Sequence, residues 1–166
     1  GATARVAKAN PPDHAMPYGH DPAALLASIN DRTRLMFIAN PNNPTGTWLK
    51  TAELQGLLSD IPESVIVVVD EAYGEYVDPA ADCADALRWL DRFPNLSVTR
   101  TFSKAYGLAG LRVGYAISHP VVADLLNRVR QPFNVNSLAL VAATAALDDV
   151  DHLQRIQALN RAGMQQ

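Results

Sequence analysis

The chain has 166 residues, of which 48% are hydrophobic and 19% charged, and a formal net charge of −3. That length supports one domain with a real core, and the balance is that of an ordinary globular protein. A mild acidic excess with no basic run argues against a nucleic-acid groove or an anionic membrane surface as the main partner.

Taken in chain order, residues 5–9 read as a strand-like piece. Asp21 and Pro22 start a helix to about residue 30, with Asp21 as N-cap and Pro22 in the first turn. The run Leu35-Met36-Phe37-Ile38-Ala39 reads as a buried strand. Thr51 can cap a helix to about residue 59. A second buried strand covers residues 65–69, a helix about 84–90, and a third strand 96–101. Unbroken rather than alternating apolarity predicts a sheet covered on both faces. Strands alternating with helices predict an α/β domain with a mostly parallel sheet. Residues 113–117 break that rule. Only about ten residues separate this strand from its predecessor, too few for a parallel crossover, so it runs antiparallel and the sheet is mixed. Helices follow at residues 119–130, 137–148 and 151–166, with Pro132 as a boundary between the first two. The chain opens almost on a strand and closes inside a helical pattern, so it is expected to be a piece of a longer protein.

Three motifs follow the three buried strands: Asn40-Pro41-Asn42-Asn43-Pro44-Thr45-Gly46, Asp70-Glu71-Ala72-Tyr73, and Thr101-Phe102-Ser103-Lys104 leading through Gly107 and Gly110 to Arg112. Ligands of open α/β sheets bind beyond the carboxyl ends of strands, so these scattered residues can converge on one crevice. Asp70 closes an apolar run, where an ionised carboxylate needs a cationic partner. A strand-end Asp also caps turns or binds metals. The Asn-Pro stretch also reads as a plain turn.

In this order the motifs resemble the pyridoxal-phosphate (PLP) aminotransferases of the aspartate-aminotransferase fold, and within them the histidinol-phosphate branch. The likeness runs over about residues 5–166. It implies that Lys104 is the Schiff-base lysine and proton shuttle, and that Asp70 holds the pyridine nitrogen protonated. It implies that Tyr73 and Asn43 donate to the ring's 3′ oxygen. Thr101, Ser103 and Arg112 would take the 5′-phosphate, the hydroxyls by single bonds and the guanidinium by its fork. Lys104 is expected to be desolvated, so that its amine is neutral part of the time.

The resemblance further implies transamination between L-histidinol phosphate and 2-oxoglutarate in a cytoplasmic homodimer. Another amino donor, a phospho-amino-acid decarboxylase, or a PLP-sensing domain of a transcription regulator would use the same cofactor residues. Residues 1–166 would be part of the cofactor-binding large domain. An N-terminal segment with a second phosphate loop and a stacking aromatic, and a C-terminal small domain with the substrate arginine, would lie outside them. The segment Arg130-Gln131-Pro132-Phe133-Asn134-Val135-Asn136-Ser137 resembles the same branch. It lines the substrate entrance, meets the partner subunit, or simply joins two helices with Ser137 as N-cap.

The remaining candidates carry little. His14, His20, His119 and His152 show no ligand spacing, so no metal site is expected. The lone Cys83 permits no intrachain disulfide, favours a reducing compartment, and is flanked by acids that raise its pKa. No apolar stretch reaches transmembrane length.

Overall fold

In the computed structural model, which describes residues 1–164, the elements run in the order α1 (Pro22–Ala27), β1 (Leu35–Ala39), α2 (Thr51–Asp60), β2 (Ile66–Asp70), β3 (Leu96–Thr101), β4 (Gly114–Ser118), α3 (Pro120–Val129), α4 (Ser137–Asp148) and α5 (Val150–Gly163). The sheet order is β1-β2-β3-β4. The first two pairings are parallel and the last is antiparallel, as the short connection before β4 requires. No helix among the described residues is long and apolar enough to cross a membrane.

Several elements differ from the sequence expectation. Residues 5–9 form no strand; their only ladder contact is a single antiparallel bridge from Ala9 to His20, and Val6 is 92% exposed. Asp21 does cap α1, accepting the N–H groups of Ala23 and Ala24. Thr51 does not cap α2 but is its first residue; Glu53 accepts the Lys50 N–H, and Asp82 reaches from a distant loop to accept the Thr51 N–H at 3.1 Å. The expected helix at 84–90 is a 3₁₀ turn, Ala86–Trp89. Asn136, not Ser137, caps α4 by accepting the Ala139 N–H. The terminal helix ends at Gly163, and the last two residues of its expected span lie outside the described residues.

The sheet is not covered on both faces throughout. Met36, Ile38, Val67, Val69, Leu96 and Val98 are buried against Leu54, Leu57 and Leu58 of α2. On the other face of β1, Leu35 and Phe37 are 54% and 69% exposed. Apolarity on both sides of a strand reads as two-sided burial, but α1 and α2 both join the core on one side. A smaller cluster packs α4 through Ala139 and Ala143 onto Phe102 and Val113. At Gly114 a Cβ would sit 2.8 Å from the Arg100 carbonyl oxygen, so close pairing of β3 with β4 requires glycine there.

Two polar centres brace the edge formed by the strand carboxyl ends. Asn40 is 1% exposed. Its Oδ1 accepts the Leu49 N–H at 2.7 Å, its Nδ2 donates to Ala84 O at 3.3 Å, and its own N–H donates to Asp70 O at 2.9 Å. Glu71 is 2% exposed. Arg100 donates Nε and Nη2 to Glu71 Oε2 at 3.0 and 2.7 Å, and the Ala86 N–H donates to Oε1 at 2.8 Å. Burial pushes the Glu71 carboxyl up; the Ala86 N–H and the Arg100 guanidinium oppose that. Glu75, by contrast, has both carboxylate oxygens buried with no hydrogen-bond partner among the described residues.

Asn40→Ala leaves the Leu49 N–H and the Ala84 carbonyl unpaired in the interior. It should cost about 2 kcal/mol or more of unfolding free energy, measured by urea denaturation. For Glu75, burial raises the carboxyl above its ordinary value of 4.5. The folded state then keeps a proton that the unfolded chain releases. The stability from this group is complete below the ordinary value and is lost as pH rises through the raised one. Glu75→Gln should therefore match the parent near about pH 4 and exceed it near about pH 8, read from urea midpoints across that range.

Candidate active site

Because β1, β2 and β3 run parallel, the loops after them leave from one edge of the sheet. β4 runs the opposite way, so its beginning lies at that same edge, where Gly114 pairs with Thr101. The loop of residues 40–46, the Asp70–Tyr73 corner, the Thr101–Lys104 corner and Arg112 therefore share one rim. The three motifs named from the sequence meet there.

Within the rim the contacts are uneven. Asn43 Nδ2 donates to the Tyr73 hydroxyl at 3.3 Å. Lys104 Nζ lies 5.2 Å from the centroid of the Tyr73 ring, a cation–π distance. Asn43, Tyr73 and Lys104 thus form one group. Asp70 forms another: its Oδ1 accepts from the Thr99 hydroxyl at 3.1 Å and from the Ala72 N–H at 3.2 Å. Two residues along β3, the Thr101 hydroxyl accepts the Ser103 N–H at 3.1 Å. Arg112 sits in the left-handed region at φ 54° and ties one guanidinium N–H to the Ala109 carbonyl at 2.9 Å. No hydrogen bond among the described residues joins Arg112 or Lys104 to the other groups.

Two expectations need correction. Asp70 was expected to be buried at its strand end, yet it is exposed and held by a hydroxyl and a backbone N–H. The alternation of side chains along an extended chain explains this: Asp70 falls on the open face, and its neighbour Glu71 turns into the interior and takes the cation, Arg100. Lys104 was expected to be desolvated, and its side chain is exposed. The raised pKa expected for Cys83 has a cause only partly foreseen. Its thiol is pushed up to about 11, chiefly by burial and only then by Glu71, Asp82 and Asp85.

Beside Asn43 and Tyr73 opens a cavity of about 600 Å³, walled by Trp48, Tyr76, Val77 and Asn160. A second, of about 380 Å³, lies by Glu71, Cys83, Asp85 and Arg100. No group of three or more His, Cys, Asp or Glu side chains suited to a metal ion occurs among the described residues. In the segment that joins α3 to α4, Phe133 has φ 56° and is 96% exposed. Arg128 pairs with Asp124, and Arg130 donates to Asn127 and Asn134, so both cations are engaged locally. Sequence reasoning missed the Glu71–Arg100 pair and the support Thr99 gives Asp70. The signal was present in the alternation Thr99, Arg100, Thr101, which sends the arginine to the face opposite the two hydroxyls.

Comparison with known proteins gives this geometry a family. The family model for aminotransferase class I and II matches residues 4–165. A histidinol-phosphate aminotransferase of Nitrosococcus oceani is 62% identical over 156 residues, which cover 92% of this chain and 42% of that protein. One from Pseudomonas fluorescens is 61% identical over 166 residues, covering 100% of this chain and 43% of that protein. Among solved structures, the histidinol-phosphate aminotransferase of Sinorhizobium meliloti in complex with pyridoxal-5′-phosphate superposes with a TM-score of 0.78 at 36% identity, covering 84% of this chain and 38% of that one. The chain thus spans about two fifths of the length of the curated relatives it matches. A rim built by three parallel strand ends and one antiparallel return, carrying Asn43, Asp70, Tyr73 and Lys104, accompanies a family match over nearly every residue: the chain belongs to the class I and II aminotransferase family.

Proposed function

We propose that the protein is a PLP-dependent aminotransferase that exchanges the amino group of L-histidinol phosphate with 2-oxoglutarate, as a step in histidine biosynthesis. Residues 1–166 are in this reading part of its cofactor-binding large domain. The second phosphate loop, the stacking aromatic and the substrate arginine then come from other parts of the protein. The observation that carries the reading is the meeting of Asn43, Tyr73 and Lys104 on one rim, beside an Asp70 whose second oxygen is open.

The donor set fits the cofactor. Both bonds to Asp70 end on Oδ1, which leaves Oδ2 to accept an N–H from a pyridinium. The Tyr73 hydroxyl accepts from Asn43, so its own proton is free to be donated, and the Asn43 amide keeps a second N–H. Thr101, Ser103 and Arg112 supply hydroxyls and a guanidinium at the same edge, suited to a phosphate dianion. When bound there, pyridoxal phosphate supplies an electron sink for charge developing at the substrate α-carbon. Asp70 would then keep the ring nitrogen protonated, Tyr73 and Asn43 would stabilise negative charge on the 3′ oxygen, and the Lys104 amine would carry the proton from the substrate α-carbon to the cofactor's C4′. Arg112, Thr101 and Ser103 anchor the phosphate so that these groups keep their aim.

The substrate assignment is supported by the names of the relatives at 61–62% identity. A cytoplasmic homodimer is supported by the apolar rows exposed on α3 and α4, where Val129, Leu138 and Val141 are 78%, 75% and 70% exposed. A single free cysteine agrees with a reducing compartment.

In the full-length protein, Lys104→Ala should lose nearly all transamination of L-histidinol phosphate, followed as glutamate formed from 2-oxoglutarate. Wild-type turnover in that variant would remove Lys104 from the reaction. Asp70→Asn should still bind pyridoxal phosphate but lose about a hundredfold or more in kcat, because an amide cannot hold the ring proton. Near-normal kcat would reduce Asp70 to a turn-forming residue. The enzyme should favour L-histidinol phosphate over phenylalanine by several kcal/mol in kcat/KM, since a site built for a charged group leaves that cation unpaired with an apolar substrate. Comparable values would defeat the substrate assignment and leave the cofactor chemistry standing.

A further inference from the structure

The loops that carry Lys104 and Tyr73 are each closed by short-range backbone bonds. Gly107 donates its N–H to Lys104 O, Leu108 to Phe102 O, Gly74 to Glu71 O and Tyr76 to Tyr73 O. Local turns of this kind shape a loop but do not fix it relative to another loop. The helix α5 reaches both. Its half-buried residues are His152, Leu153, Ile156, Gln157 and Asn160. At roughly 100° per residue they form a face about 140° wide, with His152 and Gln157 on its two edges and Leu153 and Ile156 between.

The two edge residues make long-range bonds. His152 Nε2 donates to the Ala105 carbonyl at 3.2 Å, and Gln157 Nε2 donates to the Glu75 carbonyl at 2.7 Å. Both acceptors are backbone atoms. Ala105 follows Lys104 directly, and Glu75 lies two residues past Tyr73. A carbonyl only accepts, so the His152 ring carries its proton on Nε2. Asp149 fixes the first turn of α5 by accepting the His152 N–H at 3.0 Å, which sets the place from which the imidazole reaches.

We propose that His152 and Gln157 are positioning residues. In this role α5 is a strap whose two side chains hold the backbones of both loops and so set the separation of the Lys104 amine from the Tyr73 phenol. The role rests on the reading of Lys104 and Tyr73 as cofactor-holding groups given above. Neither strap residue touches the reacting atoms. Each acts through the loop it grips, and reacting groups held for near-attack geometry lose rate steeply when they drift by an ångström.

The test uses the full-length protein with His152→Leu, His152→Gln and Gln157→Leu. Leucine keeps the apolar packing of α5 and removes the donor, whereas the glutamine amide places an N–H where Nε2 stood. Without cofactor, His152→Leu should speed amide exchange at residues 105–107, and Gln157→Leu at residues 74–76. With pyridoxal phosphate bound, both leucine variants should lose about tenfold or more in kcat with little change in KM. The pH titration of the cofactor's visible band should shift in both, and His152→Gln should behave like the parent. Parent-like exchange and kcat in the leucine variants would overturn the proposal. So would a His152→Gln as impaired as His152→Leu, because the imidazole would then matter for its bulk. A parent protein that bound no pyridoxal phosphate would sink the functional reading instead, and the exchange measurement would still decide the strap.

Discussion

The register between β2 and β3 is the constraint on which the rest depends. Pairing Asp70 with Thr99 puts Asp70, Thr99 and Thr101 on the open side of the rim and sends Glu71 and Arg100 to the closed side. A slip of one residue would exchange the two sets. The buried carboxylate would face solvent, and Asp70 would be driven into the core without a cation. The Glu71–Arg100 pair works against such a slip. A buried ion pair is weak support for stability as such, but removing one partner strands the other, so it discriminates sharply between registers. Asn40 does the same for β1, joining its end to β2 through the Asp70 carbonyl and to two loops through its side chain.

This arrangement separates support from chemistry. The groups beneath the sheet edge are buried and mutually bonded. The groups above it are exposed or half-buried and carry open hydrogen-bonding capacity: Oδ2 of Asp70, the hydroxyl proton of Tyr73, the amine of Lys104 and the guanidinium of Arg112. A site meant to receive a polar, phosphorylated ring needs such capacity, and a rigid floor lets it be left open. Glu75 is the exception. Its carboxylate oxygens are buried close to Tyr73 with no partner among the described residues, and they make stability there sensitive to pH.

Much of this was legible in the sequence, for identifiable reasons. The strands were found because their apolar runs are long, and the antiparallel β4 because ten residues cannot make a parallel crossover. Asp21 and Pro22 marked α1 by local chemistry alone. The candidate site residues could be placed on one rim from the sequence because their motifs begin at or just after strand ends. What failed depended on partners far away in the chain. Residues 5–9 have the composition of a strand, but among the described residues only Ala9 pairs, through a single bridge to His20. Thr51 has the chemistry of a cap, but Asp82 is brought to that place by the fold. His152 looked like one of four scattered histidines, and only the packing of α5 brings it to the loop of Lys104.

The central claim is that the rim formed by these strand ends holds pyridoxal phosphate with Lys104 as its covalent anchor. The chain's lysines are Lys8, Lys50 and Lys104; Lys8 precedes α1 and Lys50 immediately precedes α2. Borohydride reduction of the full-length protein with pyridoxal phosphate, followed by proteolysis and mass spectrometry, tests it most directly. A phosphopyridoxyl mass on the peptide containing Lys104, and on no other lysine, is the predicted result; a label on Lys8, Lys50 or any other lysine in place of Lys104, or none at all, would contradict it.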